Sequence, residues 1–448
     1  MRTEPTSLKD VEKFLFDNIP SFEKKFPGEL GLKRMKCLME LLGNPQEKLK
    51  IIHIAGTSGK GSTACFASAL LLGLGFKVGL TISPHLTDFR ERFQINGRVL
   101  SGKKIVSYFN EFLPAFEKMK TLKYGQPTYF EIVQALAFLI FYKEKVDYAV
   151  VETGMGGTFD ATNVVQNSNK VCLLTKIGLD HTKILGNSVA KIAGQKAGII
   201  NKDNIVFTVD QRRKTLSVFE KFCKKNKAQM ILVRKNIEYK NVKLNKEGIC
   251  FDFSLGDLKF KKLSISILGF YQAQNLSLAL RALIYLSERD HFFLPEQKIR
   301  KVLANIRFRG RFDVMNIDGE TLIVDGAHNP QKMKAFLSSL VKVFPAKKYN
   351  FMIAFKRGKD FKKMLSQIYP LAVKVYVTSF FLQSDMKENL SLDESLIVKS
   401  LNAEGFKNVE IIHNPSKCLR LALQETQQFP LIVTGSLYLA GEVYKSLA

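Results

Sequence analysis

The chain has 448 residues, of which 46% are hydrophobic and 24% are charged, and its mean hydropathy is −0.03. This composition excludes a disordered or fibrous protein, and the length predicts at least two domains. The formal net charge is +27, from 68 basic and 41 acidic residues. The lysines are spread along the whole chain and match no nucleic-acid-binding motif, so we interpret them as a solvated basic surface.

The cysteines and the N-terminal residues indicate the cellular compartment of the protein. The six cysteines show no paired spacing, which favours reduced thiols in a cytosolic protein. The first residues, MRTEPTSLKDVEKFLF, lack the pattern of a signal peptide. The longest candidate apolar helix, near residues 132–142, is too short to span a bilayer. We therefore expect a cytoplasmic, monomeric protein that binds neither membranes nor nucleic acids.

The first half of the chain alternates apolar strand-like runs with helical patterns. Strands that are apolar throughout and separated by helices are typical of a parallel sheet covered on both faces. Gly75 closes the predicted helix STACFASALLLGLG, and Ser188 is a candidate N-cap for the predicted helix SVAKIAGQKAGII. The predicted strands are KLKIIHIAG, KVGLTI, DYAVVETGMGG and KVCLLTKIGLDH, and the predicted helices are STACFASALLLGLG, TYFEIVQALAFLIFYKE and SVAKIAGQKAGII.

The pattern changes in the second half. From about residue 201 to 268, short alternating stretches such as GICFDFSLGDLKF predict antiparallel strands appended to the first domain. A helical stretch, YQAQNLSLALRALIYLSE, follows, and strand–helix alternation resumes from TLIVDGAHNP onward. We expect a boundary near residue 305. The predicted fold is therefore α/β, with a parallel-sheet ATPase domain (1–305), its small antiparallel sheet, and a smaller Rossmann-like C-terminal domain (306–448).

The stretch HIAGTSGKGST, residues 53–63, carries the most specific chemistry. A glycine loop between a strand and a helix presents main-chain N–H groups to an anion, and the helix dipole adds to the attraction. Lys60 would meet the β- and γ-phosphates of a triphosphate, and Ser62 or Thr63 could reach a phosphate or Mg²⁺. The match to the common P-loop pattern is imperfect, because Ile54 and Gly61 replace a glycine and a hydroxyl residue.

Functional groups also follow the other predicted strands. Ligands of open parallel sheets bind beyond the carboxyl ends of the strands. A hydroxyl, a carboxylate and an imidazole around a triphosphate make a plausible Mg²⁺ site. If the strands are neighbours, one edge of the sheet carries Lys60, Ser83, Glu152 and His181. His53 lies inside the first strand, and we interpret it as a core residue.

At this point the sequence closely resembles the Mur ligase superfamily, and within it the folylpolyglutamate and dihydrofolate synthases. The order and spacing of the shared motifs are more specific than any single motif. The resemblance covers nearly the whole chain, through AGTSGKGST, SPHLTDFRERFQING, TYFEIVQALAF, ETGMGGTFDATN, GLDHTKILGNSVAKIAGQKAGII, YQAQN, RGRFDV, DGAHNP and TGSLYLAGEV.

The resemblance implies an ATP-dependent amide ligase of folate biosynthesis and one-carbon metabolism. A folate or pteroate carboxylate attacks the γ-phosphate of ATP, and the amine of L-glutamate then displaces phosphate from the acyl phosphate. The family also implies two Mg²⁺ ions and a carbamylated lysine, here Lys196, which would turn a cation into a carboxylate-like ligand. The SPHLTDFRERFQING segment is similar to a mobile loop of the family, and a cleft between two domains suggests hinge motion near residue 305.

Site residues carry over from the family by position. The implied ATP-binding residues are Ser58, Gly59, Lys60, Gly61, Ser62, Asn275, Arg311 and Asp325. The implied metal ligands are Ser83, Glu152, His181 and Lys196. The implied catalytic residues are Lys60, His181, Lys196, Asp325 and His328. The implied residues of the pterin-bearing substrate pocket are Thr128, Tyr129, Phe130, Glu131, Phe159, Asp160 and Ala161.

Other functions remain open at this stage. A different Mur-superfamily ligase, acting on a cell-wall precursor or another amino acid, is the first alternative. A nucleotide-binding module or a basic nucleic-acid-associated NTPase is the second. The residues leave dihydrofolate synthesis, folate polyglutamylation and both together as equal possibilities.

Overall fold

A computed structural model describes residues 4–20, 27–345, 348–381, 391–425 and 428–447. Its strands are β1 (Ile51–Ala55), β2 (Val78–Thr81), β3 (Gln94–Ile95), β4 (Arg98–Val99), β5 (Tyr148–Glu152), β6 (Val171–Leu174), β7 (Ile205–Val209), β8 (Gln229–Val233), β9 (Tyr239–Asn245), β10 (Gly248–Leu255), β11 (Leu258–Ile265), β12 (Asp313–Ile317), β13 (Glu320–Val324), β14 (Tyr349–Ile353), β15 (Ala372–Val377), β16 (Val409–Ile411) and β17 (Leu431–Thr434). Its α-helices are α1 (Leu8–Asp17), α2 (Glu29–Leu41), α3 (Lys60–Leu74), α4 (Gly102–Met119), α5 (Tyr129–Lys143), α6 (Thr182–Leu185), α7 (Val189–Ala197), α8 (Arg213–Asn226), α9 (Tyr271–Arg289), α10 (Glu296–Asn305), α11 (Pro330–Val343), α12 (Phe361–Ile368), α13 (Glu394–Ala403), α14 (Pro415–Glu425) and α15 (Leu437–Ser446).

The largest sheet has eight strands in the order β4-β3-β2-β5-β1-β6-β7-β8. Strands β2, β5, β1, β6, β7 and β8 pair in parallel, and β3 and β4 add a short antiparallel edge. Strands β5 and β2 lie on one side of β1, and β6 lies on the other. Such a sheet binds ligands where its connections diverge, beyond the carboxyl ends of the strands. The predicted parallel sheet is confirmed.

Both faces of this sheet are covered, as its apolar strands predict. Successive strand residues point to opposite faces. Ile52 and Ile54 of β1 join a core cluster with residues of α3 and α9, whereas Ile51 joins a cluster with residues of α1, α4 and α5. His53 is fully buried and its Nε2 lies 2.8 Å from Thr162 Oγ1, so the interpretation of a core histidine is confirmed.

The prediction for residues 201–268 was partly wrong. The antiparallel sheet has the order β11-β10-β9 and begins only at Tyr239. Strands β7 and β8 instead extend the parallel sheet. The apolar run of residues 230–233 in β8 is the signal of a parallel strand that the prediction overlooked, although the strand is only partly buried because it lies at the edge of the sheet.

The third sheet has the order β12-β13-β17-β14-β15-β16 and uses only residues from Asp313 onward. Strands β13, β17, β14, β15 and β16 are parallel, and β12 pairs antiparallel with β13. The strand–helix alternation predicted for this half is confirmed. The predicted boundary at residue 305 falls on the last residue of α10.

Helix ends near the site follow the sequence signals. Helix α3 ends at Gly75, whose φ of +105° is a left-handed conformation that favours glycine. Helix α7 begins after Ser188, whose side chain accepts a hydrogen bond from Lys191 N. No helix within the described ranges combines the length and the apolar character needed to cross a bilayer.

Candidate active site

The loop between β1 and α3 requires glycine where it turns. Gly59 has a φ of +92°, and a Cβ there would overlap Asn275 Oδ1 from α9. Only a glycine fits both the left-handed backbone and the close approach of the asparagine. Gln272 Nε2 lies 3.3 Å from Ser62 Oγ, and Asn275 Nδ2 donates to Gln272 Oε1 at 2.8 Å. The start of α9 therefore holds the loop and the first turn of α3 together.

Two amides of the loop are already used within the protein. Thr57 N and Ser58 N both donate to Lys176 O at 3.1 Å, which anchors the loop to the segment that follows β6. The first-turn amides of α3, near Lys60, have no partner inside the helix and lie at its positive end. Ser58 Oγ is buried and has no hydrogen-bond partner among the described residues. Such a buried hydroxyl, beside a helix N-terminus, indicates a site for an anionic ligand.

The carboxyl ends of β1, β2 and β5 meet at Glu152. Lys60 Nζ lies 3.7 Å from Glu152 Oε1, and Ser83 N donates to Glu152 Oε2 at 3.2 Å. Glu152 is buried, so its charge depends on these partners. The expectation that groups from neighbouring strand ends share one edge therefore holds for these three residues.

Two nitrogen groups on the next part of the rim have lowered pKa values. Lys196, on α7, is buried, and burial with the nearby Lys60 cation lowers its pKa to about 7. His181 follows β6, and burial with the Lys359 cation lowers its pKa to about 3. A neutral amine and a neutral imidazole are the forms that react with CO₂ and that bind metal ions, respectively.

The opposite wall of this space comes from the segment before β12 and from the turn after β13. The guanidinium of Arg311 lies between two glycines: a Cβ at Gly61 would lie 3.6 Å from Arg311 Nη2, and one at Gly326 would lie 3.2 Å from Nη1. Asp325 accepts hydrogen bonds from Phe312 N and Ala327 N, each at 2.8 Å, while burial raises the pKa of Asp325 to about 6. Arg311 thus reaches the glycine loop from the second half of the chain.

One carboxylate joins the two walls. Asp180 Oδ1 lies 2.5 Å from Lys359 Nζ, and Asp180 Oδ2 accepts from Asn329 Nδ2 at 3.1 Å. Burial favours the neutral acid, but the Lys359 cation above all holds the pKa of Asp180 well below its usual range. The Asp180–Lys359 ion pair therefore links the segment after β6 of the large sheet to the segment after β14 of the third sheet.

The glycine loop, the rim residues and Arg311 line a cavity of about 220 Å³, which we call the P-loop cavity. It contains all the residues predicted to bind ATP and all the predicted metal ligands. Besides these, it is lined by Asp180, His328 and Lys332. The P-loop-cavity members predicted from the sequence are Ser58, Gly59, Lys60, Gly61, Ser62, Ser83, Glu152, His181, Lys196, Asn275, Arg311, Asp325 and His328.

A second cavity of about 410 Å³, which we call the aromatic cavity, lies beside the first. All seven residues predicted for the pterin pocket line it, namely Thr128, Tyr129, Phe130, Glu131, Phe159, Asp160 and Ala161. Its other walls include Met155, Ile184 and Leu185, so most of its surface is apolar. A flat aromatic ligand fits such walls better than a phosphate does.

Two acidic residues of the aromatic cavity already have protein partners. Arg34 Nε and Nη2 donate to the two oxygens of Glu131 at 2.8 Å each, and Thr128 N also donates to Glu131 at 2.7 Å. Asp160 accepts from Thr162 N and Met155 N. These carboxylates therefore fix the shape of the wall, and only oxygen valences left over can reach a ligand.

The two cavities meet along a shared border. Eight residues line both of them: Ser83, Pro84, Gly154, Met155, His181, Leu185, His328 and Leu437. A group held in one cavity can therefore react with a group held in the other. Among the described residues, no three His, Cys, Asp or Glu side chains form a metal-like cluster; the candidate metal set has one carboxylate, one imidazole, one hydroxyl and one lysine.

Sequence reasoning missed several polar residues of the site. Lys332 lies one helical turn after His328, and Lys359 follows the strand β14, so both were visible as residues near a motif or a strand end. Asp180 precedes His181 in a motif that was singled out only for the histidine. Arg34 had no signal, because its partner Glu131 lies 97 positions away.

Comparisons with known proteins place these observations in a family. The Mur ligase middle domain matches residues 54–283, and the dihydrofolate synthetase C-terminal domain matches residues 312–446. The chain is similar to a Bacillus subtilis dihydrofolate synthase/folylpolyglutamate synthase, with 30% identity over 99% of both chains. It is also similar to a Saccharomyces cerevisiae dihydrofolate synthetase, with 30% identity over 93% of this chain and 97% of the relative.

Solved structures agree with the sequence comparisons. Mycobacterium tuberculosis folylpolyglutamate synthase complexed with ADP superposes with a TM-score of 0.87 at 28% identity, over 98% of this chain and 97% of the other. An FPGS–AMPPCP–folate complex superposes with a TM-score of 0.82 at 26% identity, over 98% and 99% of the two chains.

Proposed function

We propose that this chain, which belongs to the Mur ligase family of dihydrofolate and folylpolyglutamate synthases, joins L-glutamate to a folate or dihydropteroate carboxylate. It is an ATP-dependent ligase that forms a carbon–nitrogen bond. The observation that carries the proposal is the shared border of the P-loop cavity and the aromatic cavity. ATP in the first cavity and a folate in the second would bring the γ-phosphate and the carboxylate together at that border.

The chemistry divides into two transfers. The carboxylate oxygen attacks the γ-phosphorus, the bond to ADP breaks, and an acyl phosphate forms. The amine of glutamate then attacks the acyl carbon, and inorganic phosphate leaves. Acyl phosphates hydrolyse readily, so a border that is partly buried between two walls of protein favours transfer to the amine over loss to water.

The P-loop cavity supplies the groups for the first transfer. Lys60 and the amides at the start of α3 would hold the β- and γ-phosphates, with Ser58, Gly59, Gly61 and Ser62 as the cradle. Arg311 would contact the phosphates from the opposite wall, because its guanidinium lies close to Gly61. Asn275 would reach the adenine and Asp325 the ribose side of the nucleotide.

The rim residues fit Mg²⁺. Glu152 and Ser83 offer oxygen atoms, which Mg²⁺ prefers, and His181 is neutral because burial and Lys359 lower its pKa to about 3. Lys196, with a pKa lowered to about 7, has the neutral amine that carbamylation requires, and its carbamate would add a second carboxylate. Mg²⁺ bound there would neutralise phosphate charge. These four residues are the ligands we propose, with two ions as the expected number.

The aromatic cavity would bind the second substrate. Tyr129, Phe130 and Phe159 offer faces and edges for a pterin or benzoyl ring, and Thr128, Asp160 and Ala161 would border it. Glu131, locked by Arg34, would hold the wall and offer at most one further acceptor position. Lys356 and Lys359 line the side of the cavity near His328 and would attract the carboxylates of glutamate.

The test is product mass. Purified protein is incubated with ATP, Mg²⁺ and L-glutamate, together with dihydropteroate in one reaction, tetrahydrofolate in a second and a UDP-linked muropeptide in a third. We expect a product heavier by one or more glutamate residues, and ADP release that depends on glutamate. The acceptor that reacts decides between dihydrofolate synthesis and polyglutamylation. ATP hydrolysis without an amide product, or an amide formed only on a UDP-linked muropeptide, would overturn the proposal.

A further inference from the structure

Lys332 and His328 form a nitrogen pair on the second wall of the P-loop cavity. Lys332 Nζ lies 2.9 Å from His328 Nε2, and His328 Nδ1 lies 2.8 Å from Gly326 O. A carbonyl oxygen only accepts hydrogen bonds, so Nδ1 carries the proton and Nε2 is the acceptor. Lys332 therefore donates to the imidazole, whether its amine is neutral or charged.

The charges that face Lys332 come from four separate segments. Lys60 lies at the start of α3, Asp180 before α6, Arg311 before β12 and Lys359 before α12. Burial lowers the pKa of Lys332 most, Asp180 raises it, and the three cations lower it further, to about 7. At pH 7 to 8 this lysine is therefore an available base, unlike an exposed lysine.

Lys332 also lies where the second transfer needs a base. The α-amino group of free glutamate is an ammonium ion near neutral pH, and an ammonium has no lone pair to attack a carbonyl. Lys332 lines the P-loop cavity, and its partner His328 lines both cavities at their shared border. That border is where, if the proposed function is correct, the acyl phosphate forms.

We propose that Lys332 accepts the proton of the incoming glutamate ammonium and that His328 orients the amine of Lys332. One N–H bond of the ammonium breaks and the proton moves to the lone pair of Lys332 Nζ. The freed nitrogen lone pair forms the C–N bond at the acyl carbon, and the C–O bond to phosphate breaks with its electrons on the leaving oxygen. A second proton leaves the nitrogen with the phosphate, which yields a neutral amide.

His328 has a distinct part in this step. Its neutral Nε2 accepts a hydrogen bond from Lys332, so it stabilises the lysine ammonium that forms. Burial and the cations around it lower the pKa of His328 well below its usual value, so it stays neutral while Lys332 titrates. His328 is therefore a positioning residue, and Lys332 is the proton acceptor.

The experiment compares two nucleophiles. L-Glutamate must lose a proton before it attacks, whereas hydroxylamine is already neutral at pH 7 and captures acyl phosphates as hydroxamates. The variants are Lys332→Met, which has no base, and Lys332→Arg, which keeps the charge but cannot accept a proton. Lys334→Met is the matched control, because Lys334 is exposed on the same helix α11.

We expect both Lys332 variants to form the glutamate product about 100-fold more slowly than the wild type, a usual contribution of a general base. Hydroxamate formation should stay within about twofold of the wild type, because neutral hydroxylamine loses no proton before it attacks and its later proton leaves with the phosphate. The wild-type rate with glutamate should rise as the pH rises through about 7, where Lys332 loses its proton. That inflection should be absent in Lys332→Met, and Lys334→Met should match the wild type throughout.

Three outcomes would overturn the inference. Equal loss of glutamate and hydroxylamine reactions would place Lys332 in the first transfer. A wild-type rate in Lys332→Arg would make it a fixed cation, and an unchanged pH profile in either variant would remove its role as a base. Thermal melting shows which variants are folded. If Lys332→Met is not folded, the results with Lys332→Arg alone decide the inference. A wild-type enzyme that forms neither amide nor hydroxamate would instead refute the proposed function.

Discussion

The P-loop cavity and the aromatic cavity adjoin, but they are built from different parts of the chain. The P-loop cavity takes cations and main-chain amides from the ends of parallel strands, from α9 and from the second wall around Arg311. The aromatic cavity takes most of its wall, including Tyr129, Phe130 and Phe159, from the side of the large sheet, and a smaller part, including Tyr438 and Lys359, from the C-terminal half of the chain. The first is therefore assembled by two walls, and the second is shaped chiefly by one.

This difference concerns how each ligand is recognised. A triphosphate needs positive charge and N–H groups from several directions, so its site depends on how the two walls dock. A flat ring needs apolar area, which one wall can supply. We therefore expect variants of the P-loop cavity to impair the use of ATP while leaving binding of the folate largely intact, and the reverse for the aromatic cavity.

The largest effect should follow from Lys60→Ala. Lys60 is the cation at the start of α3 and lies 3.7 Å from Glu152 Oε1, so its removal leaves phosphate charge without its main counter-ion. Turnover should fall about 1,000-fold, as when a preorganised charge is removed from a transition state. Steady-state ADP release measures it, and equilibrium binding of the folate should stay unchanged.

The control for Lys60→Ala is Lys103→Ala, which removes the same charge from an exposed position near the start of α4. It should turn over like the wild type. If Lys60→Ala kept wild-type turnover, the nucleotide assignment would be wrong. If it weakened folate binding as much as turnover, the two cavities would not be separate sites.

A smaller effect should follow from Arg311→Ala, which tests the second wall. The guanidinium lies between Gly61 and Gly326, so its loss separates the nucleotide from the C-terminal half of the chain. We expect kcat/KM for ATP to fall about 100-fold, with Arg311→Lys intermediate because a point charge replaces a planar fork. Arg307→Ala, at an exposed position in the same segment, is the control.

The measurement for Arg311→Ala combines kinetics with thermal melting. The melting temperature should stay close to that of the wild type, because the guanidinium is not part of an apolar core. A normal KM and kcat for ATP would remove the contact between the two walls. A large loss of melting temperature would mean that Arg311 holds the fold rather than the nucleotide.

The contrast between the cavities also explains what the sequence could predict. The glycine loop, Lys60 and the strand-end residues Ser83 and Glu152 follow from rules that apply to every parallel sheet, so the residues alone indicated them. Phosphate chemistry restricts the residues and their spacing. The strand order that brings β2, β5, β1 and β6 side by side then places the groups at one edge.

The aromatic cavity gave no such signal. Tyr129 is buried and contributes to the core of α5, so its sequence pattern is that of any packed helix residue. Only the resemblance to a family indicated a pocket there. Asp180, Lys332 and Lys359 were missed for another reason: although each lies near a motif or a strand end, the opposite charges and cations that they face come from other segments, and no local pattern encodes how two walls dock.

The smallest effect should follow from Phe159→Ala in the aromatic cavity. Phe159 lines the cavity and is 43% exposed, so the side chain has little role in the core and is available to a ligand. Loss of one aromatic contact costs about 1 kcal/mol, which corresponds to a KM for the folate that is about 5- to 10-fold higher. The KM for ATP should not change.

The control for Phe159→Ala is Phe293→Ala, which removes an identical side chain that is 82% exposed and lies outside both cavities. It should leave both KM values at those of the wild type. A rise in the KM for ATP in Phe159→Ala would show that the aromatic wall also shapes the nucleotide site. The loss of the ring would then act on ATP through the eight residues that line both cavities. A selective rise in the KM for the folate would show that one wall can bind the ring independently, as its apolar composition implies.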